Sequence, residues 1–149
     1  MTGLYFEDLK ISDRFLSDTY EVTEEKIIAF AREFDVQDFH LDHAAAEKSL
    51  FEGLAASGWH TAAIAMRLFT TRMRFVGGAI GLAVDELRWP IAVRPNDTLQ
   101  VETEILKARV SKSKPGYGII RIRNIARNQR GEIALSYEAN ALVGCRPNE

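Results

Sequence analysis

The chain has 149 residues, 46% hydrophobic and 27% charged, which suits one domain with a real core and leaves too little for two. That composition excludes a disordered chain. The balance of 19 Lys and Arg against 21 Asp and Glu excludes a global attraction to nucleic acid or to an anionic membrane. The single cysteine, Cys145, excludes an intrachain disulfide.

In chain order, the opening MTGLYFEDLKISDRF carries acids where a secretory leader needs a basic region, and no apolar run reaches the roughly 20 residues of a membrane span. A cytoplasmic protein is the expectation. A short strand is predicted around Arg14 to Tyr20. Thr23 then offers an N-cap, Glu24 and Glu25 suit a first turn, and Ile27, Ile28, Phe30, Ala31 and Phe34 form the apolar face of a helix. A short helix is expected from Asp42, through Ala44, Ala45 and Ala46.

A longer helix is predicted from about Ser57 to Met73. Its residues Trp59, Ala62, Ala63, Ile64, Ala65, Met66, Leu68 and Phe69 are apolar nearly all round, which predicts a buried helix. Phe75-Val76-Gly77-Gly78 ends it. Residues 80–93, 98–113, 116–128 and 132–144 then read as strands, separated by the turn signals Arg94-Pro95-Asn96-Asp97, Lys114-Pro115-Gly116 and Asn128-Gln129-Arg130-Gly131. Short connections favour antiparallel pairing. The expected fold is α+β, one domain over residues 1–149 with a sheet of about five strands around one long central helix.

The residues that carry chemistry gather in two short runs, FDVQDFH (34–40) and ASGWH (56–60). Asp35 and His40 are five residues apart, which on a continuous helix would hold them about 140° apart. They converge only where the helix ends near Phe34 and the chain turns. Ser57 followed by Gly58 reads as a capped helix start, where early amide donors and the positive end of the helix dipole can stabilise an anionic oxygen. An acid, a base and such donors are what hydration of a carbonyl-activated double bond needs. The alternative reading is an ordinary helix end with a surface histidine and an ordinary cap.

Together these residues resemble the MaoC-like dehydratases, the group that includes the (R)-specific enoyl-CoA hydratases of the hot-dog fold. In that group an Asp and a His are usually spaced as Asp-x-Asn-Pro-x-His; this chain reads Asp35-Val36-Gln37-Asp38-Phe39-His40. Ser57-Gly58 stands where the group carries His-Gly, and YFEDLKISDRF and LRWPIAVRPNDTL also resemble it. The resemblance implies a homodimer with sheets joined edge to edge, and reversible hydration of a trans-2-enoyl-CoA to a 3-hydroxyacyl thioester. Asp35 and His40 would activate a water, and Gly58 with Ser57 would receive the thioester oxygen. Phe39, Trp59 and His60 are candidate substrate-pocket residues. CoA enters as carrier of the substrate, with no resident cofactor. Two departures stand out: Gln37-Asp38 for Asn-Pro, and Met66 where some hydratases carry a serine.

Other features weigh less. His40 and His43 could share a metal, but no third or fourth ligand accompanies them, so no metal is expected. Gly77-Gly78-Ala79-Ile80-Gly81 lacks the Lys-Ser/Thr of a phosphate loop. Arg121, Arg123, Arg127 and Arg130 have no aromatic platform among them for single-stranded nucleic acid. Two other functions stay open at this point: an acyl-CoA thioesterase, since one fold hosts several chemistries, and an acyl-thioester-binding module without turnover.

Overall fold

A computed structural model describes residues 2–148. After a 3-10 turn at Phe6–Asp8, the elements are β1 (Arg14–Val22), α1 (Glu24–Phe34), α2 (Asp38–Leu41), α3 (His43–Glu47), α4 (Gly58–Arg72), β2 (Ala79–Arg88), β3 (Asp97–Val110), β4 (Tyr117–Arg127) and β5 (Ile133–Gly144). The five strands pair antiparallel throughout, in the order β1-β3-β4-β5-β2. The consecutive strands β3, β4 and β5 pair as hairpins across short turns, while β1 and β2 close the two edges. This is the hot-dog arrangement, a sheet curved around one long helix.

The alternation visible in sequence sets the faces. In β3, Leu99, Val101, Thr103 and Ile105 point inward, and in β4 so do Ile120, Ile122, Asn124 and Ala126. They meet Ile64, Ala65, Leu68 and Phe69 of α4. Each fully buried Leu, Ile or Phe contributes about 1.5–3 kcal/mol of transfer free energy, so this seam dominates the fold. A chain of three polar side chains crosses it and is satisfied: Thr103 donates to Asn124 Oδ1 at 2.5 Å, and Asn124 Nδ2 donates to Tyr137 Oη at 2.8 Å.

Three expectations need correction. The helix α4 is not buried on all sides: Trp59, Ala63, Met66 and Thr70, spaced along one face, are exposed. Phe34 is also exposed, its ring resting against Phe30 at 5.2 Å instead of entering the core. The strand expected over 80–93 stops at Arg88. Pro90 has no amide hydrogen for a ladder, and Trp89 turns back toward the start of α4. Residues 89–94 therefore become a wall of the site.

Candidate active site

Helix α1 ends where the sequence places its last apolar residue, with Asp35 as its C-cap in a non-helical conformation. The chain then re-enters a single helical turn, α2. This turn is held by bonds from Gln37 N–H to Asp35 O (2.8 Å), His40 N–H to Gln37 O (3.0 Å) and Asp42 N–H to Asp38 O (2.9 Å). Backbone hydrogen bonds thus stiffen the segment where the resembling group uses Asn-Pro. The break between α1 and α2 removes the 140° obstacle, and the two side chains meet with His40 Nε2 3.2 Å from Asp35 Oδ2.

The other face of the imidazole settles its tautomer. His40 Nδ1 lies 2.6 Å from the carbonyl oxygen of Ala55, which can only accept, so Nδ1 carries a proton and donates it there. Nε2 is therefore the nitrogen left to face Asp35. His40 is buried, with its ring edge-on to Phe39 at 4.5 Å. Burial alone would raise the Asp35 carboxyl. Hydrogen bonds from Ser57, Gln37 and His40, with the attraction of the His40 charge, outweigh it and hold the group below the usual aspartate range. The Gln37 amide supplies one of these at 2.6 Å, so the residue that departs from the family pattern supports the acid directly.

Ser57 is the N-cap of α4: the Trp59 N–H donates to its hydroxyl at 3.3 Å. It is fully buried and does not line the cavity, so the expectation that it faces a thioester is corrected; its hydroxyl serves Asp35 and the helix. Gly58 does line the cavity, and among the described residues its amide N–H has no acceptor. A neighbouring side chain leaves room only for glycine here. A Cβ there would lie 2.8 Å from Trp89 Cε2, and the Trp89 indole N–H donates to Gly58 O at 2.7 Å.

The cavity measures about 690 Å³. Its polar lining comes from Asp35, Gln37, His40, Gly58, Thr61 and Arg94, with Phe39, Phe51, Trp59, Trp89, Ile91 and Val93 among its apolar walls. Phe39 and Trp59 thus line the cavity. His60 is not. Two residues beyond Gly58 it lies about 200° around the helix, and it stacks on Phe30 at 4.7 Å, outside the cavity. His43 pairs with Glu24 of α1 and also takes no part.

Three contributors escaped the sequence reading. Trp89 carried a signal, since a Trp-Pro pair interrupts an otherwise continuous strand pattern. The Ala55 carbonyl carried none, because a main-chain acceptor looks the same at every residue. Arg94 read as a turn residue; its long-range carbonyl partners lie some forty residues earlier in the chain.

The family model for the MaoC like domain matches residues 10–126. The chain belongs to this family. Among solved structures, a MaoC-like dehydratase from Rhodospirillum rubrum is 49% identical, with 98% of this chain and 100% of that one covered at a TM-score of 0.93. The (R)-hydratase PhaJ1 of Pseudomonas aeruginosa shares the fold at a TM-score of 0.80 and 24% identity, over 97% and 88% of the two chains. A curated relative, the uncharacterized protein YdeM of Bacillus subtilis, is 28% identical over 92% of this chain and 96% of its own. In this MaoC-like chain no helix is long and apolar enough to cross a membrane, among the described residues.

Proposed function

We propose that this protein reversibly hydrates a trans-2-enoyl-CoA to a 3-hydroxyacyl thioester. The observation that carries the reading is the pairing of His40 Nε2 with Asp35 Oδ2 at 3.2 Å, in the wall of a cavity that also presents Gly58. A water bound between carboxylate and imidazole gives up one proton to the pair as its oxygen bonds to C3. The double bond's electrons move toward the thioester, whose oxygen becomes enolate-like and is met by the Gly58 amide at the positive end of α4. The pair then returns one proton to C2, so one water is consumed and the pair is restored. General acid–base catalysis of this kind contributes about 10²–10⁴-fold. CoA serves as carrier; the chemistry asks for no other cofactor. We place the activity in cytoplasmic fatty acyl metabolism.

The working form in this reading is a homodimer. The edge strand β2 leaves Ile80, Leu82 and Val84 each more than half exposed, and the open stripe of α4 adds Trp59 and Met66. An open edge with apolar side chains is a surface that a second copy covers well.

The test follows the conjugated enoyl absorbance and free thiol together, with short and medium trans-2-enoyl-CoAs. Loss of absorbance without thiol supports hydration. Thiol release means a thioesterase, and neither signal means a binding module. Asp35→Asn and His40→Ala should each lower kcat by about 10²-fold or more with the fold intact by circular dichroism. Full turnover in both would sink the assignment.

A further inference from the structure

Between α3 and α4, residues 48–57 form no regular element, and their carbonyls need partners from elsewhere. Arg94 supplies three of them. Its Nη1 donates to Gly53 O at 2.9 Å and to Leu54 O at 3.3 Å, and its Nη2 donates to Phe51 O. The Arg94 backbone is itself held, since its N–H donates to Asp97 Oδ2 at 2.9 Å, and Val93 O next to it accepts from Ala56 N–H at 2.9 Å. No carboxylate lies within ion-pair distance of this guanidinium among the described residues, so main-chain oxygens are what it binds.

The strapped segment leads straight into Ala55. The N–H of Ala55 donates to Phe39 O at 3.3 Å, and its carbonyl accepts the Nδ1 proton of His40 at 2.6 Å. Ala55 is therefore the link between the Arg94 strap and the turn that carries the imidazole. A planar fork can hold several oxygens in one fixed geometry, which a flexible ammonium does not reproduce.

We infer that Arg94 is a positioning residue for the Asp35–His40 pair. It acts through the Phe51–Ala55 backbone, keeping the Ala55 carbonyl where it commits Nδ1 as donor and leaves Nε2 to Asp35. The kinetic part of this inference rests on the hydration reading; the spectroscopic part does not.

The experiment uses the full chain with Arg94→Lys, which retains the charge and is the variant expected to fold, and Arg94→Ala, assayed with and without ethylguanidinium. In ¹⁵N spectra the wild-type His40 should show a protonated Nδ1, and both variants should lose that uniform signature. With an enoyl-CoA substrate, kcat should fall about tenfold or more while KM stays nearly constant, and ethylguanidinium should restore part of the Arg94→Ala rate. Unchanged His40 resonances with unchanged kcat would overturn the inference. A raised KM at full kcat would overturn it in favour of a substrate contact, and lowered Tm with an unaltered His40 spectrum in favour of mere stabilisation. A wild type without hydratase activity counts against the proposed function alone, and the His40 spectra still decide the role of Arg94.

Discussion

His40 faces Asp35 through Nε2 because its Nδ1 is already committed to a main-chain oxygen. The carboxylate in turn is depressed: burial pushes it up, but Ser57, Gln37 and His40 favour its charged form by more. The Asp35 carboxylate thus stays ionised to lower pH than a free aspartate, whose ordinary value is about 3.9. Gln37→Ala removes a donor to the charged form, so the carboxyl should rise and the acid limb of kcat/KM should move to higher pH. The variant loses more activity in mild acid than at neutrality. A pH–rate profile with an unmoved acid limb would contradict the role given to Gln37. By linkage, the stability this carboxylate adds is present above its unfolded pKa and is lost as pH falls through the lower folded one.

Gly58→Ala should be destabilising because the new methyl meets an indole. The contacts would be 2.8 Å to Trp89 Cε2 and 2.9 Å to Trp89 Nε1. Overpacking of this kind costs about 1–3 kcal/mol. Combined with Trp89→Leu, the cost of Gly58→Ala should largely vanish, since the obstructing ring is gone. Urea midpoints for the four members of the cycle check this; strictly additive effects would show that the indole is not the obstacle.

His60 should make the protein acid-sensitive. Its Nδ1 is buried with no hydrogen-bond partner among the described residues, and burial, aided by the Lys26 charge, pushes its pKa below the ordinary value. An unfolded histidine takes up a proton near pH 6.5, whereas the folded one resists, so folding stability declines as pH drops below that point. His60→Phe keeps a ring against Phe30 and removes the titration. The difference in unfolding free energy between pH 7.5 and 5 should shrink in the variant. An identical pH dependence in both proteins would exclude His60 as its source.

The exposed edge gives a prediction about assembly. Val84→Lys on β2 and Met66→Lys on α4 each put a charge into the apolar surface proposed to pair with a second copy. Light scattering at micromolar concentration should give twice the chain mass for the wild type and the single mass for the variants. A monomeric wild type would remove the dimer from the proposal.

Local chemistry made much of this legible. Thr23 accepts from Lys26 N–H as an N-cap should, and Ser57 starts α4 where its hydroxyl and the following apolar run indicated. The period of two in β3 and β4 gave their inward faces, because alternation follows from strand geometry at any position in a sheet. The separation of Asp35 from His40 left a turn open without requiring it, and the helix break after Phe34 is what brings them together. Where the pattern misled, a distant partner intervened. Residues 89–93 have strand-like apolar character, but Trp89 turned instead to Gly58 and ended β2 at Arg88. His60 shares the helix start with Gly58, yet helix rotation sends it to Phe30.

The sequence by itself indicated the helix starts at Thr23 and Ser57 and most of the strands, and singled out Asp35 and His40 as candidates, because caps, turns and hydrophobic periods act between residues a few positions apart. Only the tertiary structure decided the strand order, the free face of α4, and which nitrogen of His40 is available. Those depend on contacts between segments far apart in the chain. Arg94 reaches Gly53, and Ala55 reaches His40, through main-chain oxygens that no side-chain pattern announces.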